Sequence, residues 1–129
     1  MHRLIFALVT VFLFSFSAHA LALPPGFVAL SELPMNWKDA KAFCQQKGRK
    51  LPRINNSDSW NGKGVGTIDG FGTHRAPWPS GLPVDRYWTG TDITDAPSHA
   101  HYVHHFSGDG SVITLVNPKS NEYRVVCVP

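Results

Sequence analysis

The chain has 129 residues and a formal charge of +3, and its first twenty residues read as a removable leader carrying Arg3 and no acid. That leaves 109 residues and a charge of +2: too few residues for two ordinary domains, and a balance that argues neither for nor against an anionic partner. No stretch alternates aromatic and basic residues, so a nucleic-acid platform is not expected.

Met1-His2-Arg3 is a short positive start, Leu4 to Phe16 is an apolar run, and Ala18-His19-Ala20 offers the small-x-small pattern of a signal-peptidase site. Cleavage after Ala20 is expected, with Ala22 as an alternative and an uncleaved anchor as a second one. No cysteine follows closely, so a lipoprotein anchor is not indicated. Residues 1–20 are therefore assigned to a signal peptide and 21–129 to one domain. The mature protein is expected to be bacterial, secreted or periplasmic, and not inserted in a membrane.

In the mature part, Phe27 to Leu30 is a short strand candidate. Asn36 can cap a helix from Trp37 to about Lys47, with Asp39 in its first turn and Gly48 as its stop. Trp37, Ala40, Phe43 and Cys44 share one face at helical spacing. Beyond the helix gather Lys47, Arg49, Lys50 and Arg53. The helix dipole alone is an adequate reason for them; a phosphate or polyanion site is the alternative.

Residues 55–84 hold six glycines and two prolines between Asn61 and Gly81, with no sustained apolar period. They read as a long irregular loop, which in a compact domain is uncommon unless functional or disordered. Strand-like composition resumes over Arg86–Thr91. His101–Phe106 and Ser111–Val116 flank Ser107-Gly108-Asp109-Gly110 as a hairpin, and Glu122–Val128 is the last strand. Cys44 and Cys127, the only cysteines, read as one disulfide in an exported protein. The loop so closed would contribute about 4 to 5 kcal/mol on a chain-entropy estimate. A catalytic thiol is the rival reading, weakened by the lack of a Cys-x-x-Cys pair.

The helix ending in Cys44, Gly48-Arg49-Lys50-Leu51-Pro52, Tyr87-Trp88-Thr89-Gly90-Thr91, the Gly108/Gly110 hairpin and Tyr123-Arg124-Val125-Val126-Cys127-Val128 occur in an order that resembles a bacterial exported domain of unknown function. That family includes the C-terminal domain of Lcl-type adhesins and is related to the C-type-lectin-like fold. The resemblance spans roughly residues 27–129. It implies an α+β, C-type-lectin-like domain: one main helix on a small, mostly antiparallel sheet, a long irregular loop and one disulfide. Two departures stand out. Arg53 follows Leu51-Pro52 where Thr is usual, and Asn55-Asn56-Ser57-Asp58 with the glycine-rich loop replaces an expected second helix.

Calcium-dependent lectins carry Glu-Pro-Asn or Gln-Pro-Asp with Trp-Asn-Asp, and this chain has none of these; a hard cation needs six to eight oxygens, several from carboxylates. Formylglycine-generating enzymes, which share the broad fold, use cysteines beyond a single structural pair. No hydrolase, zinc-protease or nucleotide-binding motif is present, and Asp92 and Asp95 read as part of a solvated loop. No enzyme, cofactor or metal is expected.

Two constellations remain. Ser98 to Phe106 holds four of the five mature histidines; on a strand His99, His101 and His105 would share one face, open to zinc or copper or to joint titration, although unligated imidazoles are the plainer reading. The glycine-rich loop carries Trp60, Phe71 and Trp78 among Asn61, Asp69, His74 and Arg75, the mixture of flat apolar area and directional polar groups that sugar rings or peptides bind. The alternative is that the tryptophans plug the loop onto the core. The sequence thus points to a binding or adhesion-type module for a protein or glycan ligand, with a histidine-dependent metal protein or enzyme, or a small exported enzyme inhibitor, as rivals.

Overall fold

A computed structural model of the protein describes residues 22–55, 66–93 and 95–129. The leader, Trp60 and Asn61 fall outside them. Strand β1 is Ala29–Leu30, helix α1 Trp37–Gln45, β2 Thr67–Ile68, β3 Gly72–Thr73, β4 Tyr87–Asp92, β5 His99–Phe106, β6 Ser111–Pro118 and β7 Val126–Cys127. The architecture is small and mixed: one helix with antiparallel sheets, ordered β4-β5-β6, β1-β7 and β2-β3. No helix of the described residues is long and apolar enough to cross a membrane.

Helix α1 forms as its caps dictate. The Asn36 side chain accepts the Asp39 N–H at 2.9 Å, and Gly48, at φ 66°, turns the chain after the last helical residues. The helix ends at Gln45, two residues short of the expected limit. The turn brings Lys50 alongside Val128 in a backbone bridge, and Cys44 to Cys127, with Cα atoms 5.6 Å apart and the sulfurs bonded. The expected disulfide is present. The expected last strand shrinks to Val126–Cys127, its neighbours Tyr123, Arg124 and Val128 making single bridges.

Strand alternation sorts the core into two clusters, one on each face of the β4–β6 sheet. Trp88, Ala100 and Tyr102 face the helix and pack with Trp37, Ala40, Cys44, Leu51, Tyr123, Val125 and Cys127. Both indoles are tied to backbone: Trp37 Nε1 donates to Thr89 O and Trp88 Nε1 to Met35 O, each at 2.9 Å. Tyr87, Val103 and Val112 face the other way, onto Phe27, Ile54, Ile68, Phe71, Leu82, Val126 and Val128, with Trp78 against them.

That second cluster corrects the reading of residues 55–84 as wholly irregular. Thr67 pairs with Thr73 and Ile68 with Gly72 in a small hairpin, and Ile54 bridges Ile68. The hairpin docks because Gly70 lies under the Phe27 ring: a Cβ there would meet Phe27 Cε1 at 2.5 Å, and its φ of 76° suits glycine. Ile68 and Phe71, on either side of the turn, then drop into the core. The described part of the glycine-rich segment, residues 66–84, is one layer of the domain.

Candidate functional site

From the β2–β3 hairpin the chain runs along the edge of β6. Arg75 N–H donates to Val112 O at 2.7 Å, Val112 N–H to Ala76 O at 2.8 Å and Trp78 N–H to Gly110 O at 3.0 Å. Arg75 takes a left-handed φ of 71°, the sole non-glycine residue with positive φ among the described residues. Such a conformation persists only where surrounding contacts enforce it, and here the bonds to β6 do so.

The twist aims the Arg75 side chain over the β5–β6 turn. Its guanidinium carbon lies 5.0 Å from the centroid of the Phe106 ring, and Nη2 is 3.3 Å from Asp109 Oδ2. Phe106 remains 39% exposed, and Arg75 and Asp109 are about half exposed. At that exposure the ion pair adds little stability, but it fixes the guanidinium plane beside an open aromatic ring. Gly108 makes room for that ring, since a Cβ there would stand 2.7 Å from Phe106 Cε1.

Trp78 is the wedge beneath. Its indole N–H donates to Leu82 O at 2.9 Å, its ring lies 5.5 Å from Phe71 and 6.0 Å from Tyr87, and its other side meets His105 edge-on at 5.4 Å. It is half-buried, so it joins the core to the surface. His74 is half-buried as well; burial and then the Arg75 charge hold its imidazole below the usual histidine range. Its Nδ1 has no hydrogen-bond partner among the described residues.

The loop residues singled out in the sequence therefore separate. Arg75 comes against Phe106 and Asp109, and Trp78, three residues on, against His105. Asp69 goes elsewhere: its carboxylate accepts the Arg53 N–H at 3.0 Å and the Asn55 amide at 2.9 Å, tying the two strands at the mouth of the segment. Phe71 is 3% exposed and offers no surface to a ligand; its contacts are Phe27, Trp78 and Tyr87. Trp60 and Asn61 lie outside the described residues. Phe106 and Asp109 escaped the sequence reading because their hairpin was read as a turn, although an aromatic closing a strand before Gly-Asp-Gly was a visible sign.

The histidines of β5 alternate as the strand requires but do not converge. His101 is buried, and desolvation pushes it below its ordinary value. His99 shares a hydrogen bond with Ser98 Oγ at 2.8 Å, and His105 abuts Trp78. His104 points to the opposite face, into a groove of about 440 Å³ lined by Pro34, Val84, Asp85, Arg86, Glu122 and Tyr123. Burial, then Arg86 and His105, lower its pKa. Among the described residues no three His, Cys, Asp or Glu side chains group closely enough to hold a metal ion. Asp92 ends β4 in an ion pair with Lys119 at 2.5 Å.

Compared with known proteins, the chain matches no family model and no curated sequence.

Proposed function

We propose that the protein is an exported binding module of C-type-lectin-like fold, which recognises a protein or glycan ligand through the surface its glycine-rich segment builds against the β5–β6 turn. No calcium is needed in this reading. The observation that carries it is the Arg75–Phe106–Asp109 arrangement. A left-handed arginine is clamped by two backbone bonds to β6 so that its guanidinium lies on a ring left open to solvent. A planar cation beside an exposed aromatic face supplies flat apolar area and directional donors at once. Trp60 and Asn61 belong to the same proposal on sequence grounds. The fold assignment is supported by the helix end lying against the terminal strand, joined by Cys44–Cys127, and by the long segment between them.

Glycan and protein arrays probed with the purified domain, with and without EDTA, test the reading. Binding that survives EDTA is expected. Phe106→Ala and Arg75→Gly should each weaken it about tenfold or more, at an unchanged melting temperature. Arg75→Gly keeps the left-handed backbone and removes only the guanidinium. Parental affinity in both variants would refute this surface as the recognition site.

A further inference from the structure

A second surface lies beside the end of α1. A groove of about 250 Å³ is lined by Lys41, Gln45, Lys50, Leu51, Arg53 and Gly90. It draws only part of the basic cluster seen in the sequence. Lys47 is turned away, its ammonium 4.6 Å from the Phe43 ring centroid, and Arg49 does not line the groove. Lys41, which the sequence reading had not grouped with them, joins from the helix.

Three features make this groove more than a solvated basic face. Its charge is of one sign: no acid lines it, and among the described residues no ion pair involves Lys41, Lys50 or Arg53. Asp69, which touches Arg53, bonds through both carboxylate oxygens to the Arg53 N–H and the Asn55 amide. The cations also stand on fixed backbone. Lys50 exchanges two hydrogen bonds with Val128 and Arg53 is tied to Asp69 through N–H and C=O, while Lys41 contributes its stem to the wall, its ammonium lying 4.5 Å from the Trp37 ring centroid. Third, the wall contributed by β4 is bare. Gly90 sits in the strand without a positive φ, and a Cβ there would touch Leu51 Cβ at 3.5 Å and Arg53 Cγ at 3.7 Å, ordinary contact distances. Neither backbone nor packing demands glycine, so what the missing side chain provides is space beside Arg53, as where a ligand approaches a strand closely.

We infer that this groove binds a phosphate monoester. Lys50 and Arg53, two cations without an ion-pair partner among the described residues, match a group of nearly two charges better than a singly charged sulfate ester or carboxylate, and they also offset the negative pole of the helix C-terminus beside the groove. Arg53 offers a planar fork to two phosphate oxygens, while Lys50 acts as a point charge and Gln45 adds a neutral donor. The same chemistry is found on a sugar phosphate and on a phosphatidic acid headgroup.

Calorimetric titration of the purified protein with glucose 6-phosphate and glucose 6-sulfate, with sedimentation on phosphatidylcholine vesicles with and without phosphatidic acid, tests the site. Saturable binding of glucose 6-phosphate, about tenfold tighter than the sulfate and weakening between pH 7.5 and 5.5 as the dianionic ester takes up one proton and becomes a monoanion, supports it. Sedimentation with phosphatidic acid vesicles, without binding of glucose 6-phosphate, supports it with a lipid as the source. Lys50→Ala and Arg53→Ala should each cost about tenfold in affinity, and Gly90→Ala should cost as much without lowering the melting temperature. Binding of neither probe overturns the assignment, as does parental affinity in Arg53→Ala and Gly90→Ala.

Discussion

The two faces of the β4–β6 sheet are covered by very different chain. One carries an amphipathic helix stapled by a disulfide; the other carries a glycine-rich segment with two two-residue strands. Both nonetheless bury a comparable set of large side chains, Trp37, Trp88, Tyr102 and Tyr123 on the first and Phe27, Ile68, Phe71, Leu82 and Tyr87 on the second. A stretch without periodicity can thus complete a core, its Ile68, Phe71, Trp78 and Leu82 closing over residues from the sheet and the chain ends. It also leaves neighbouring residues such as Arg75 free to shape a surface, which a helix stripe does not.

The sharpest way to break this comparison is to remove the loop face's central ring. Phe71 touches Phe27, Trp78 and Tyr87 and is nearly inaccessible, so Phe71→Ala should destabilise the whole domain by about 3 to 5 kcal/mol. Chemical denaturation followed by tryptophan fluorescence measures this. A loss below about 1 kcal/mol would mean that the glycine-rich segment is a flap over an independently stable helix and sheet.

The complementary change acts on the helix face. Replacing both cysteines by serine should cost about 2 to 5 kcal/mol by releasing a cross-link spanning 83 residues of sequence. Denaturation midpoints of the double variant report it, and an unchanged midpoint would show that the core around Trp37 and Trp88 holds the helix end without the bond. Cys44→Ser alone would strand a thiol at Cys127, so the double change is the cleaner measurement.

Legibility in the sequence follows the same division. The helix face could be read because its signals are local or countable: an Asn cap, a stripe at Trp37, Ala40 and Cys44, and an even number of cysteines. The loop face could not, because Ile68, Phe71 and Trp78 follow no period. Their burial depends on Gly70 closing against Phe27, more than forty residues away in sequence. Candidate site residues fared likewise. Arg75 and Trp78 were visible as types, but only the register of residues 75–78 along β6 brings them to Phe106, Asp109 and His105, and the same folding withdraws Phe71 and ties up Asp69.

The smallest expected effect is on acid sensitivity, and the buried histidine behind it lies on the loop side. His101 lies on the sheet face shared with Val103, turned to the loop-side core, and burial holds its imidazole below the usual histidine value; His74, in the glycine-rich segment, is lowered for the same reason. A histidine whose folded pKa is depressed is neutral in the fold, and the unfolded chain takes up the proton first. Its contribution to stability is therefore complete above the unfolded value of about 6.5 and is lost as pH falls from there toward the lower folded pKa. On the helix side His104, half-buried like His74, is lowered in the same sense by burial first, while Tyr102 is raised from a value far above this window. Denaturation at pH 7.5 and 5.0 should then show weaker stability at the lower pH, in a range where carboxylates remain largely ionised. A His101→Gln variant should lose part of that dependence while keeping the disulfide contribution intact. Equal stability at both pH values in the parent protein would show that water reaches His101, and that the loop face is packed more loosely than the helix face.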